Sequence, residues 1–194
     1  MLSNLNGEEV LDIGCRDKIF KKYLLGDYKY TGVDYNPNIT IDNNDKDVIN
    51  HNLEQGLPDG KNFDIINALD VLEHVENIHH LFEQMFRKAN KKIIIALPNM
   101  AYYKFRLNFL FKAEISEKYN FHHKKLIDRH RWITNYNSII NFIEKNKPKD
   151  WKSTKFDFIA DRKKYYVYIL EKFLAKYFPG LFVYEVIYLF EKKS

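Results

Sequence analysis

Apolar positions along the chain fall into short continuous runs separated by segments with helical spacing. Residues 9–13 (EVLDI) predict a buried strand ended by Gly14. Ile19, Phe20, Tyr23 and Leu24 recur at helical spacing over 17–25, with Gly26 placed as a C-terminal cap. Residues 29–35 (KYTGVDY) predict a second strand closed by Asn36 and Pro37, 47–51 a third and 63–69 (FDIINAL) a fourth. A helix over 78–89 turns Ile78, Leu81, Phe82, Met85 and Phe86 to one face, with Asn77 as its N-cap. Residues 92–97 (KIIIAL) form a continuous apolar strand stopped by Pro98 and Asn99. Regularity then lapses until a helix after Thr134 puts Tyr136, Ile139, Ile140 and Ile143 inward. A sixth strand over 154–160, a helix over 164–177 and a long final strand after Pro179 and Gly180 complete the chain. Continuous apolar strands alternating with amphipathic helices indicate an α/β, doubly wound, mostly parallel sheet covered on both faces. The expectation is a single domain over 1–194, with an insertion at about 99–133 too long for an ordinary connection.

Composition narrows the class. Of 194 residues, 45% are hydrophobic and 29% charged, which suits a soluble globular chain and excludes disorder. No apolar run approaches the roughly 20 residues of a membrane span. Cys15 is the sole cysteine, so a disulfide framework is excluded and a reducing compartment is expected. With neither a basic leader nor an apolar signal core in MLSNLNGEEV, the expected location is cytoplasmic. The net charge of +5 is concentrated between residues 102 and 131, where eight Lys/Arg face three Asp/Glu. Tyr102, Tyr103, Phe105, Phe109, Phe111, Tyr119 and Phe121 interleave with them. Such a stretch suits an anionic substrate, a membrane surface or nucleic acid.

The first strand, turn and helix carry the candidate chemistry. The first strand runs out through Asp12, Ile13, Gly14, Cys15, Arg16, Asp17 and Lys18, and the second ends at Asp34, 22 positions after Asp12. An acidic residue about 20 positions on is placed to accept both ribose hydroxyls of a bound nucleotide. A pyrophosphate requires glycines where Arg16 and Lys18 stand, so a nucleoside cofactor without phosphates fits better than a dinucleotide.

The ordered segments VLDIGC, YTGVDYNP, NLEQGLP, FDIINALDVLEHVEN and KKIIIALPN resemble the motif set of class I S-adenosylmethionine-dependent methyltransferases. The DVLEHV segment resembles the branch that methylates small molecules, quinone precursors and sugars. The resemblance implies a seven-stranded Rossmann-like sheet, an antiparallel C-terminal strand and a substrate cap after strand five. S-adenosyl-L-methionine is the implied cofactor. It also implies that Asp12, Gly14 and Cys15 lie beneath the methionine moiety, Asp34 binds the ribose and Tyr35 packs near the adenine. Asn52 and Leu53 match the adenine edge, and Ala68, Leu69 and Asp70 the floor under the cofactor. The family usually has glycine at both Arg16 and Lys18; Arg16 is expected to pair with the cofactor's carboxylate.

A hydroxyl acceptor must lose its proton, and His74, at the mouth of the fourth strand, is the expected catalytic base. Tyr102, Tyr103, Arg106, His122, His123 and Arg131 are the expected substrate-binding set. They suit a small anionic acceptor such as a sugar-type or surface-glycan precursor, with transfer to oxygen ahead of nitrogen. Three alternatives stay open: a membrane-borne lipid or quinone acceptor reached through AYYKFRLNFLFK, an RNA substrate, and a non-catalytic binding subunit. The expectation is that this helix buries its Phe and Leu against the core, and that nucleic acid is not a partner. No metal is expected, because no carboxylate pair or cysteine stands at ligand spacing from His122, His123 and His130. The resemblance implies a helix that often precedes the first strand and covers the cofactor; here it is expected to be absent or truncated, with the insertion or a partner chain of a homodimer closing that side.

Overall fold

The computed structural model describes residues 5–35, 46–114, 117–119, 129–161 and 163–193. Seven strands form one sheet: β1 (Leu5–Ile13), β2 (Gly26–Asp34), β3 (Val48–Asn50), β4 (Phe63–Leu69), β5 (Ala89–Pro98), β6 (Trp151–Phe158) and β7 (Glu185–Lys192). Their spatial order is β3-β2-β1-β4-β5-β7-β6. All pairings among β1 to β5 are parallel, whereas β7 lies antiparallel between β5 and β6. The order reverses between β1 and β4, so their carboxyl ends flank the switch point at which such sheets bind ligands.

Burial on both faces explains the apolar runs. Ile93, Ile94, Ile95, Ala96 and Leu97 of β5 are all buried. Helix α1 (Ile78–Lys88) begins where the Asn77 side chain accepts the His80 amide, and sets Leu81, Phe82, Met85 and Phe86 into the main core. Each such side chain contributes roughly 1.5–3 kcal/mol by leaving water. Helix α3 (Tyr136–Asn146) shares that face, with Phe82 and Phe142 ring centres 4.9 Å apart. A smaller core of Leu5, Val10, Leu24, Tyr30 and Ile65 lies apart from it.

Several elements differ from expectation. The helix expected over 17–25 is a single 3-10 turn, Phe20–Tyr23. Gly26 opens β2 instead of capping a helix: it sits at φ +98, and a Cβ there would meet the Leu5 carbonyl oxygen at 2.2 Å. β1 starts earlier than the pattern suggested, at Leu5, and β6 runs from Trp151. Helix α2 (Tyr103–Lys112), in the insertion, buries none of its residues, which corrects the expectation that its Phe and Leu pack on the core. Helix α4 (Tyr165–Tyr177) buries only Glu171, and the short α5 (Pro179–Phe182) leads into β7. Among the described residues no helix is long and apolar enough to cross a membrane.

Candidate functional site

The carboxyl ends of β1, β2 and β4 stand side by side, with Ile13 paired to both Val33 and Ala68. Asp12 is buried there and serves the fold: it accepts from the Tyr30 hydroxyl at 2.6 Å and from Asn67 Nδ2 at 2.7 Å. Burial still pushes its carboxyl above the usual range. The Cys15 thiol is buried as well and, with Asp12 and Asp34 nearby, is pushed up to about 12, so it stays protonated and unreactive.

The turn after β1 keeps a glycine-type backbone without its glycines. Gly14, Arg16 and Lys18 have φ of 69°, 43° and 58°. At Gly14 the reason is double, because a Cβ would lie 2.5 Å from Val71 Cγ2. At Arg16 and Lys18 a side chain is held where the left-handed region disfavours it by roughly 1–2 kcal/mol per residue. The amides of Gly14 and Cys15 donate to the Val33 carbonyl at 2.7 and 3.1 Å, and the Arg16 amide donates to Asp34 Oδ2 at 2.8 Å. The loop and the tip of β2 are thereby locked together.

Around that cleft lie the other expected cofactor residues. Tyr35 follows Asp34 and is exposed. Asn52 accepts the Glu54 amide at 3.0 Å and starts the 3-10 turn Leu53–Gln55, so its carboxamide oxygen serves the backbone. Ala68 is buried in β4, Leu69 is exposed at the strand's end, and Asp70 follows at φ 53°.

On the far side of β4 a 3-10 turn, Leu72–His74, is strapped down by residues 129–132. The amides of Arg131 and Trp132 donate to the Glu73 carbonyl at 2.9 and 3.2 Å, and the Trp132 indole donates to the Val75 carbonyl at 2.8 Å. Arg131 Nε lies 3.0 Å from both the His74 carbonyl and Glu54 Oε1, so its guanidinium ties two turns together. The strap brings His130 against His74, their ring centres 4.5 Å apart, with Glu73 beside both. His74 Nε2 and His130 Nε2 lie 3.8 and 3.9 Å from Glu73 Oε1. Adjacency on one tight turn delivers Glu73 with His74, and the strap delivers His130.

Other expected substrate residues are placed differently. Tyr102 is buried, and the Tyr102 and Tyr103 hydroxyls donate to Glu171 Oε2 and Oε1 at 3.1 and 2.7 Å, pinning α2 to α4. Arg106 Nε donates to the Ala101 carbonyl at 2.6 Å. His122 and His123 lie outside the described residues. Sequence reasoning missed Glu73, Glu171 and Glu185. Burial, with a contribution from the nearby Asp70 charge, pushes Glu73 up to about 8 and Glu185 up to about 7. The available signal was a lone carboxylate within an apolar stretch, as at Glu185 in VYEVIYLF.

A family model described as a methyltransferase domain matches residues 2–152. No curated protein matches the chain in sequence. Among solved structures, a SAM-dependent methyltransferase from Archaeoglobus fulgidus aligns at TM-score 0.53 and 20% identity, over 97% of this chain and 87% of that one. The plantazolicin methyltransferase BpumL, in complex with a triazolic desmethylPZN analog and SAH, aligns at TM-score 0.55 and 15% identity over 98% and 78%. The small RNA methyltransferase HEN1 aligns at TM-score 0.63 and 14% identity, over 98% of this chain and 24% of that one.

Proposed function

The chain belongs to the methyltransferase-domain family, and we propose that it transfers a methyl group from S-adenosylmethionine to a small anionic acceptor, to oxygen in preference to nitrogen. The observation that carries this reading is the loop at Gly14, Arg16 and Lys18, left-handed at all three positions and latched to Asp34. Backbone strain kept at a ligand-binding edge of the sheet argues that the shape is needed there. The residues suit a nucleoside without phosphates: one acidic hook, one exposed aromatic and no glycine-lined pyrophosphate cradle.

When bound, the cofactor supplies a sulfonium carbon already activated toward displacement, so alignment is the chain's main task. Asp34 is assigned the ribose hydroxyls, Tyr35 a face of the adenine, Leu53 its edge, and Leu69 the floor. Arg16 is assigned the cofactor carboxylate. Asp70 adds negative potential on the side where a cationic sulfur is favoured. His74, with 21% of its side chain exposed, is the proposed acceptor-side group. Calorimetric titration with S-adenosylmethionine and S-adenosylhomocysteine tests the reading. Binding that weakens at least tenfold in Asp34→Asn is expected; absence of binding by the parent chain favours a non-catalytic subunit.

A second reading, a membrane-borne acceptor, draws on α2 and α4. Leu107, Phe109, Leu110 and Phe111 of α2 and Ile169, Leu170 and Phe173 of α4 are exposed, and the Glu171 contacts join the two helices. Lys104, Arg106, Lys112, Lys172 and Lys176 lie on the same two helices. Apolar side chains among lysines suit an anionic lipid surface. Flotation with phosphatidylglycerol vesicles is the test, and failure to float removes this version.

A further inference from the structure

We propose that Glu73, His74 and His130 form a binding site for a first-row divalent metal ion, of which Zn(II) is the type. The three offer one ligand atom each, all within 4.8 Å of one another. Hydrogen bonding decides which ring nitrogens these are. His74 Nδ1 lies 3.1 Å from the Arg129 carbonyl, which can only accept, so Nδ1 carries the proton and Nε2 a lone pair. The Tyr119 hydroxyl donates to the Trp132 carbonyl at 2.7 Å, so its oxygen accepts from His130 Nδ1 at 3.1 Å, and His130 Nε2 also presents a lone pair. Both Nε2 atoms face Glu73 Oε1. Neither Glu73 oxygen has a hydrogen-bond partner among the described residues, although the side chain is fully buried.

Three acceptors therefore converge on one point. The buried Glu73 carboxylate brings two oxygens to that point that no hydrogen bond occupies, which a divalent ion would engage. The outer partners are those that fix metal-bound imidazoles, a carbonyl on one ring and a hydroxyl on the other. Two imidazoles and one carboxylate suit zinc or its first-row neighbours better than magnesium or calcium. Metal–ligand bonds of about 2.0–2.2 Å place tetrahedral donors about 3.4 Å apart, so the trio closes inward by roughly 0.5–1 Å on loading. His74 is partly exposed, which leaves a coordination position open on that side.

Binding of the ion stands by itself; its use rests on the methyl-transfer reading. A bound ion would supply Lewis acidity, so that an acceptor hydroxyl near the open position would lose its proton to solvent more readily. Methyl transfer would then form the C–O bond as the C–S bond breaks, with that bond's electron pair left on sulfur.

The test is titration of the full chain, stripped of metal, with Co(II), following visible d–d absorption, then displacement by Zn(II) measured by equilibrium dialysis. One ion per chain is expected, with affinity falling at least tenfold in Glu73→Gln and in His74→Ala. Binding of S-adenosylmethionine in both variants is expected within twofold of the parent. His74→Ala, altering a partly exposed residue, carries the test where Glu73→Gln does not fold. Absence of Co(II) and Zn(II) binding, or binding unchanged in His74→Ala, overturns the site. Absence of metal with cofactor binding intact overturns the metal site alone. Metal bound without cofactor binding overturns the methyl-transfer reading alone.

Discussion

Replacing Arg16 and Lys18 by glycine should make the protein more stable while weakening its hold on the cofactor. Both residues sit in the left-handed region, at φ of 43° and 58°. That conformation costs a side-chain-bearing residue roughly 1–2 kcal/mol. Glycine removes the cost but adds about 0.5–1 kcal/mol of backbone entropy lost on folding. The net gain is about 0.7 kcal/mol per site, or about 1.5 kcal/mol for the double variant. For a chain of this length each kcal/mol moves the melting temperature by about 2–4 °C, so the double variant should melt about 3–6 °C higher. Affinity should move the other way in Arg16→Gly, because a charge-assisted contact to the cofactor carboxylate is lost. At an exposed position the loss is about tenfold, near 1.4 kcal/mol. Differential scanning calorimetry reads the first quantity and isothermal titration the second. A double variant that melts no higher refutes the strained-loop argument, and an Arg16→Gly variant that binds more tightly refutes the carboxylate pairing.

Gly14→Ala should do the opposite to stability, since φ is +69° and the new methyl meets Val71 Cγ2 at 2.5 Å; a loss of about 2–4 kcal/mol in urea unfolding is expected. Cys15, its thiol pushed up to about 12, should resist iodoacetamide at pH 8 in the folded chain and react on unfolding. Its sign in linkage is also set: the unfolded thiol ionises near pH 8.5 while the folded one does not, so this residue lowers stability as pH climbs beyond that value. Glu185, pushed up to about 7, holds a proton in the folded state that the unfolded state has released between about pH 4.5 and 7, so its contribution declines across that window. Glu185→Gln should therefore stabilise the chain by about 1–2 kcal/mol at pH 8, after allowance for its partial exposure, but not at pH 4, as read by urea unfolding at the two pH values.

Where the amino-acid pattern was legible, one physical rule governed it. FDIINAL and KIIIAL are buried on both faces, so their continuous apolar character identified β4 and β5 directly. Asn77 and the Leu81, Phe82, Met85, Phe86 stripe marked α1 in the same way. The segment after Gly14 was misread because Phe20 and Leu24 do face an apolar cluster, yet the strained loop leaves room for only one tight turn before β2. In the cleft, the opposition of Gly14 and Asp34 followed from spacing. The left-handed backbone at Arg16 and Lys18 did not, since both residue types argue against it. Glu73 stayed hidden for a different reason: its meeting with His130, 57 positions away, depends on the strap at residues 129–132, whose anchors are mostly backbone carbonyls that no residue type advertises.

The placement of β7 has a consequence for how the molecule is made. Residues 185–192 fill an interior slot, bonded to β5 on one side and β6 on the other. Until residue 192 has left the ribosome, β5 has an open edge along its isoleucines and β6 has no neighbour. A nascent chain therefore carries its stickiest seam uncovered from the emergence of β5 until β7 follows it, and a delay between the two prolongs its exposure to mispairing with other chains.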